Sequence, residues 1–179
     1  MTAEFSHDER YNVTASGDRT PRVWLAADGQ PVTPALKHRD RVLRAEFSPD
    51  DQWLLTASND RTARIWEAQS GKLLHEFKHG ASCNWATFDQ QGQQVLTCSA
   101  DETARVWDAR TGQPKSPPLQ HAGPVEGGGV SPDGRYVVTA SRDHTPQIWE
   151  SESGAKVTPP LTHFAGVNNA CFTPDGRLV

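Results

Sequence analysis

One eleven-residue element occurs four times along this chain of 179 residues and constrains its fold more than any other feature. The copies read TASGDRTPRVW (14–24), TASNDRTARIW (56–66), TCSADETARVW (97–107) and TASRDHTPQIW (139–149). Their tryptophans lie 42, 41 and 42 residues apart, and a His and a Gly recur at the same step. A period between about 20 and 50 residues indicates an architecture in which each repeat packs against its neighbours.

Each repeat is predicted to contain four short strands and no helix. The first strand follows the recurrent His and carries apolar residues at the fourth, seventh and ninth positions after it, as at Val42, Ala45 and Phe47. The step of three breaks the two-residue alternation of a strand and therefore predicts a β-bulge. The seventh position is always Ala or Gly, as expected where strands crowd towards a common centre. The fold class is all-β.

Proline predicts which strand lies at the edge of each sheet. The fourth segment contains Pro in three of its four copies, at 30–38, 113–121 and 155–163, but not at 72–79. Because Pro cannot donate a ladder hydrogen bond, we expect this segment at the outer edge. Pro21 and Pro146 stand in the third strand, so we expect its ladder to begin just after them.

The order His, about 20 residues, then Ser-x-Asp-x-Thr-x-x-Val/Ile-Trp resembles the WD-repeat (WD-40 type) family, whose repeats build β-propeller blades of four antiparallel strands. The literal Trp-Asp pair occurs once, at Trp107–Asp108, and Lys37, Lys78, Gln120 and Thr162 replace the Gly of the family's usual Gly-His pair. The resemblance implies an all-β fold of about four such repeats. The T-P-P-L-x-H spelling is also similar to repeat arrays in bacterial multidomain proteins, some of them fused to serine/threonine kinases.

The register of the repeats divides the chain into five parts. These are a partial first repeat (1–37), complete second, third and fourth repeats (38–78, 79–120 and 121–162), and a truncated fifth repeat (163–179). Phe5 aligns with Phe47 and Val179 with Val137, so we expect both terminal repeats to be cut inside a strand. We expect a fragment of a larger protein with a partial propeller. The alternatives are a four-bladed ring in which the C-terminal inner strand completes the first blade, and a homodimer that closes an eight-bladed ring.

Each complete repeat contains Ser, His and Asp, the residue types of a hydrolase triad. Catalysis needs one such set, whereas this set recurs together with a Trp. The family resemblance implies instead a structural network in which the indole N–H donates to the Ser hydroxyl, which meets the imidazole and then the carboxylate. The predicted members are His38, Ser58, Asp60 and Trp66, then His79, Ser99, Asp101 and Trp107, then His121, Ser141, Asp143 and Trp149, and, in the first repeat, Ser16, Asp18 and Trp24.

Three further patterns suggest chemistry that their surroundings do not support. Residues 38–40 read His-Arg-Asp, as a kinase catalytic loop begins, but the Asn that such a loop needs is missing. Residues 127–129 are three glycines without the Lys-Ser/Thr of a phosphate-binding loop. His75, His79 and Cys83 lack a fourth zinc ligand. We predict no catalytic residue, no metal and no cofactor.

Charge and hydropathy limit the classes of partner that the chain is expected to bind. The 18 Lys and Arg against 22 Asp and Glu offer no basic surface for nucleic acid, and no apolar run reaches the roughly 20 residues that span a bilayer. We therefore expect no nucleic-acid binding, no membrane insertion and a cytoplasmic location. The resemblance implies protein or peptide partners that dock on the loops where the inner strands begin. The positions that carry over are Arg41, Leu43, Asn59, Ser82, Asn84, Ala100, Glu126, Arg142 and Asn168.

These observations favour a non-enzymatic scaffold that mediates protein–protein interaction. One alternative is a regulatory or sensor segment of a bacterial multidomain serine/threonine kinase. Another is a propeller enzyme, which would need a non-repeating cluster of acids, His or metal ligands on the inner loops. No such cluster departs from the repeat in this sequence.

Overall fold

The computed structural model describes residues 3–179 and contains, within that range, fourteen strands and no helix. Met1 and Thr2, which begin the predicted first repeat, lie outside the described residues. The strands are β1 (Ala3–Phe5), β2 (Tyr11–Thr14), β3 (Arg22–Leu25), β4 (Val42–Phe47), β5 (Trp53–Ser58), β6 (Thr62–Glu67), β7 (Leu73–Lys78), β8 (Cys83–Phe88), β9 (Gln94–Ser99), β10 (Thr103–Asp108), β11 (Leu119–Gln120), β12 (Val125–Val130), β13 (Tyr136–Ser141) and β14 (Gln147–Glu150). The predicted all-β class is confirmed.

The strands form four antiparallel sheets that follow one another along the chain. The first sheet is β1-β2-β3, the second β4-β5-β6-β7, the third β8-β9-β10-β11 and the fourth β12-β13-β14. The inner strands β1, β4, β8 and β12 lie beside one another. This order, one sheet per repeat with its first strand innermost, is that of a partial β-propeller.

The predicted bulge is present in the last three inner strands. In β4 the pairing with β5 shifts between Val42 and Arg44, and β8 and β12 shift at the equivalent positions. The small residue beyond each bulge is buried at Ala45, Ala86 and Gly128. Such crowding is why only Ala or Gly occurs there.

Proline sets the length of the outermost strand. The segment without Pro forms the six-residue strand β7, whereas β11 has two residues. In the first and fourth repeats the outer segment makes only a single bridge, Trp24 with Pro31 and Trp149 with Lys156. β7 and β11 lie at the outer edges, as predicted. β3 and β14 each begin at the residue after Pro21 or Pro146, which confirms the second expectation.

The apolar cores lie between successive sheets. Leu54 packs in the core between the first and second sheets, whereas its neighbour Leu55 packs in the core between the second and third. Val95 and Leu96 divide in the same way between the two faces of the third sheet. Because adjacent side chains of a strand point to opposite faces, each of these sheets supplies apolar surface to both of its neighbours.

The expected inner strand of the fifth repeat does not form, and residues 151–179 contain no strand. Their backbone approaches β12 so closely that a Cβ built on Gly127 would lie 2.8 Å from the carbonyl oxygen of Asn168. The turn at Thr173 keeps the repeat's geometry, because Thr173 Oγ1 donates to Asp175 Oδ1 at 2.6 Å, as Ser48 Oγ does to Asp50. A segment without a hydrogen-bonded neighbour cannot form a ladder.

We expect Gly128→Ala to lower the free energy of unfolding by about 1–3 kcal/mol, because overpacking a filled core costs about that much. A Cβ at this position would lie 2.3 Å from the carbonyl oxygen of Val138 and 3.1 Å from Leu96 Cδ2. The matched control is Gly129→Ala, whose Cβ would meet nothing closer than 3.6 Å. Urea denaturation of both variants measures the difference, and equal stability of the two would contradict the packing argument.

Candidate binding face

A chain of hydrogen bonds crosses the second, third and fourth sheets from a Trp to an Asp. In the second sheet Trp66 Nε1 donates to Thr56 Oγ1 at 2.9 Å, and His38 Nε2 lies 2.8 Å from the same oxygen. His38 Nδ1 lies 2.9 Å from Asp60 Oδ2. The third sheet repeats the chain as Trp107, Thr97, His79 and Asp101, and the fourth as Trp149, Thr139, His121 and Asp143.

The hydroxyl in this chain is a Thr, and the predicted link through Ser is wrong. Ser58 Oγ instead donates to the carbonyl of Arg41 at 2.9 Å and accepts the amide of Asp60 at 3.1 Å. Ser99 and Ser141 donate to the carbonyls of Ala81 and Gly123 and accept the amides of Asp101 and Asp143. Ser16 accepts the amide of Asp18. In the first sheet, too, the indole of Trp24 donates to Thr14.

Strand register explains why Thr, rather than the predicted Ser, accepts the hydrogen bond from the indole. Trp66 stands opposite Leu54, and Arg64 stands opposite Thr56. Thr56 is therefore the diagonal neighbour of Trp66, within reach of an aromatic side chain, while Ser58 is two residues further along the strand. The sequence carried a signal for this, since a Thr precedes the Ser by two residues in all four copies.

All hydrogen bonds of the network point from the Trp towards the Asp, and this arrangement requires a neutral His ring. Assigned from the network, Thr56 accepts the indole proton and gives its own to His38 Nε2, while His38 Nδ1–H donates to Asp60. Burial lowers the pKa of His38, although Asp60 opposes that shift. Burial alone would raise the pKa of Asp60, but hydrogen bonds from His38, Thr62 and the Arg39 amide hold it well below its usual value.

The network joins two loops on one face of the molecule. Asp60 Oδ2 accepts the amide of Arg39 at 2.9 Å, and Asp60 Oδ1 accepts the amide of Thr62 at 3.1 Å. The loop before β4 and the turn between β5 and β6 are thereby held together. These loops carry the residues that the sequence predicts for partner binding, so the network supports that face rather than performing chemistry on it.

Several predicted binding residues instead connect neighbouring sheets. Ser82 Oγ donates to Asn59 Oδ1 at 2.8 Å, which joins the second and third sheets. Asn84 Nδ2 donates to the carbonyl of Val125 at 3.1 Å, which joins the third and fourth. Engaged in this way, the three side chains stiffen the face.

The other predicted positions differ in what they leave accessible. Arg142 Nε pairs with Glu126 Oε1 at 2.5 Å within the fourth sheet. Ala100 is partly buried, and Asn168 is exposed on the C-terminal segment. Arg41 and Leu43 line an open cleft of about 500 Å³ together with Gly17 and Val42. Of the predicted set, Arg41 and Leu43 are the pair that the structure brings together at a cleft.

A cluster on the inner strands was missed from the sequence. The Arg44 guanidinium lies 3.9 Å from the centroid of the Trp85 ring and 2.6 Å from Glu46 Oε2. Glu46 Oε1 accepts the amide of Phe88 at 2.7 Å, so the cluster joins the second and third sheets. Burial raises the pKa of Glu46. The sequence signal for this cluster was the charged pair and the Trp on inner strands. In the fourth repeat, Gly127 and Gly129 occupy the positions of Trp85 and Glu46.

Within the described part of the chain, the other His and Cys residues do not assemble into a reactive site. Within residues 3–179 no three His, Cys, Asp or Glu side chains are arranged to hold a metal ion. Cys83 and Cys98 are buried free thiols, and burial raises the pKa of both. His75 Nε2 lies 2.9 Å from the carbonyl of Arg110. A search for a helix with the length and apolar character to cross the bilayer finds none in the described part of the chain.

We expect Thr56→Val to destabilise the protein strongly, because it leaves Trp66 Nε1 and His38 Nε2 each without a hydrogen-bond partner. An unpaired buried polar group costs about 1–3 kcal/mol. Thr158→Val is the matched control, since the buried hydroxyl of Thr158 has no hydrogen-bond partner. Thermal melts should show a much lower melting temperature for Thr56→Val and an unchanged melting temperature for Thr158→Val. Equal melting temperatures would refute the assigned role of Thr56.

Stability should fall as the pH is lowered from about 7 to about 5.5, near the usual pKa of His. Burial lowers the pKa of His38, His79 and His121. Near pH 6 the unfolded chain therefore binds more protons than the folded one, and acid favours unfolding. Urea midpoints across this range measure the slope. Stability that is flat or rises on acidification would contradict the neutral-imidazole network.

Comparison with known proteins agrees with this architecture. The sequence matches the family described as "WD domain, G-beta repeat" over residues 30–67, 71–108 and 119–150, together more than half of the chain. A search of curated proteins finds no significant match. Each matched segment contains the Trp, Thr, His and Asp of one network, in the second, third and fourth sheets respectively. The chain belongs to the WD40 repeat family.

Proposed function

We propose that the chain is a non-enzymatic scaffold that binds a protein or peptide on the loops where the inner strands begin, with Arg41 and Leu43 at the centre of the contact. WD40 repeats generally serve as protein-interaction scaffolds. The observation that carries the proposal is the open cleft between the first and second sheets. Its arginine makes no side-chain ion pair within residues 3–179, and its leucine is partly exposed.

The equivalent positions between the second and third sheets show one way in which such a gap is closed. Between the second and third sheets, Asn59 and Ser82 close the gap with a hydrogen bond. The equivalent pair between the first and second sheets is Gly17 and Arg41. Glycine has no side chain to reach across, so Arg41 extends beside a space of about 500 Å³. Arginine is enriched among the residues that dominate interface binding energy.

The recurring Ser, His and Asp residues support a scaffold over an enzyme. His38 and Asp60 complete a hydrogen-bond chain from Trp66, and Ser58 bonds the backbone of its own turn. No member of the set is left as a nucleophile beside a free base. A hydrolase needs a nucleophile hydrogen-bonded to its base, and Ser58 has different partners.

Peptide selection tests the proposal. Random peptides displayed on phage are selected on the immobilised chain, and their affinities are then measured for Arg41→Glu and Leu43→Asp. We expect each substitution to weaken binding about tenfold or more, as at a hot spot. The matched controls are Arg110→Glu and Leu73→Asp, exposed residues of the same types away from the cleft.

The controls should bind the selected peptides with unchanged affinity. Failure to enrich any peptide, or equal losses in test and control variants, would contradict the proposal. Melting temperatures of all four variants establish that the comparison is made on folded protein.

A further inference from the structure

A second cleft, of about 290 Å³, lies beside the second sheet and is unusually basic. Four of its lining residues are cationic, namely Arg39, Arg61, Arg64 and Lys78. The chain as a whole carries a net charge of −4, so this concentration of positive charge is local. Two carboxylates, those of Asp60 and Glu76, also line it.

The fold does not require these cations. The fourth sheet has a cleft of about 140 Å³ at the equivalent place, where Ala122, Gln147 and Pro160 occupy the positions of Arg39, Arg64 and Glu76. The position of Lys78 is held by Gln120 in the third repeat and that of Arg61 by Glu102. The third and fourth repeats thus build the same network with neutral or acidic residues at most of these positions, whereas the first repeat carries Arg19, Arg22 and Lys37 at the positions of Arg61, Arg64 and Lys78.

The two carboxylates are already engaged. Asp60 accepts bonds from the His38 ring, the Arg39 amide and Thr62. Glu76 is shared between Arg64 Nη2 at 2.9 Å and Lys78 Nζ at 3.3 Å.

The cations retain free donors. Arg39 and Arg61 are exposed, and their guanidinium groups form no ion pair or hydrogen bond within residues 3–179. Arg64 is only 8% exposed, and its Nε is a buried donor without a partner. Arg105, the equivalent residue of the third repeat, has the same unpartnered Nε, so the donors that face a ligand in this cleft are those of Arg39 and Arg61. With the two carboxylates engaged, the cleft presents an excess of two positive charges.

We propose that this cleft binds a phosphorylated side chain of a partner protein. A phosphoryl group carries about −1.5 to −2 charges at pH 7 and offers three acceptor oxygens, which matches an excess of two cations with free guanidinium donors. Arginine favours such oxyanions because its planar donors can bind two oxygens at once. The acidic net charge of the chain disfavours a nucleic-acid backbone as the source of the phosphate.

This contact extends the proposed scaffold role and is separable from it. Arg39 and Arg61 lie on the same two loops as Arg41 and Asn59, but they line a different cleft. A partner could therefore insert a phosphorylated residue beside the second sheet while its neighbouring residues contact the face.

Fluorescence polarisation with labelled peptide pools tests the inference on the whole chain. One pool has a fixed central phosphothreonine, and otherwise identical pools have Thr or Glu there. We expect the phosphothreonine pool to bind about tenfold more tightly than the Thr pool, the size of a charge-assisted hydrogen-bond contribution. The test variant is Arg39→Ala/Arg61→Glu/Lys78→Gln, each substitution copying a residue from a sister repeat, which protects folding.

The control triple variant, Arg19→Glu/Arg110→Ala/Lys72→Gln, changes the net charge by the same amount. Arg19 occupies the turn position of Arg61 in the first repeat, with a φ of 73° against 72°. We expect the test variant to lose the phosphothreonine preference and the control to keep it. Arg41→Glu should weaken the binding of the phosphothreonine and Thr pools by the same factor, so that the ratio of their affinities separates this inference from the scaffold proposal.

Four results would overturn the inference. The Thr pool or the Glu pool could bind as tightly as the phosphothreonine pool, the phosphothreonine preference could survive in the test variant, or both triple variants could lose that preference equally. Displacement of the phosphopeptide by a single-stranded oligonucleotide at lower concentration would assign the cleft to nucleic acid instead.

Discussion

The structure depends on apolar surface that successive sheets share. Leu54 and Leu55 are consecutive on β5 yet are buried in different cores, one on each side of the second sheet. A sheet of this kind cannot bury its residues alone, because each face needs a neighbour. The same constraint makes the inner strands crowd together, which explains the small residues Ala45 and Ala86.

Burial in turn decides how the polar residues are used. A Trp indole, a His ring and an Asp carboxylate lie at the margin of these cores, and each needs a partner once water is removed. The chain through Thr56 satisfies all three and fastens the loops beyond them. The repeating residues are thereby committed to stability. Residues that differ between repeats, such as Arg41 and Arg61, are the ones left available for binding.

Much of the fold follows from the repeat pattern because local chemistry controls it. A step of three residues between buried positions predicted the bulge in β4, and the distribution of Pro predicted the short outer strands. Contacts that depend on register or on the next sheet were not predictable from one repeat. The indole chose Thr56 over Ser58 because of cross-strand pairing. Asn59 bonds Ser82, 23 residues away, because two sheets face each other there.

The sequence by itself determined the all-β class, the period of the repeats, the family, and which residues recur and therefore serve the framework. Tertiary structure decided which of the variable residues remain accessible. Gly17 leaves Arg41 beside an open cleft, whereas the equivalent Asn59 closes the gap with Ser82. The physical reason is that exposure and pairing depend on the distance between side chains of neighbouring sheets, and a linear pattern does not contain that distance.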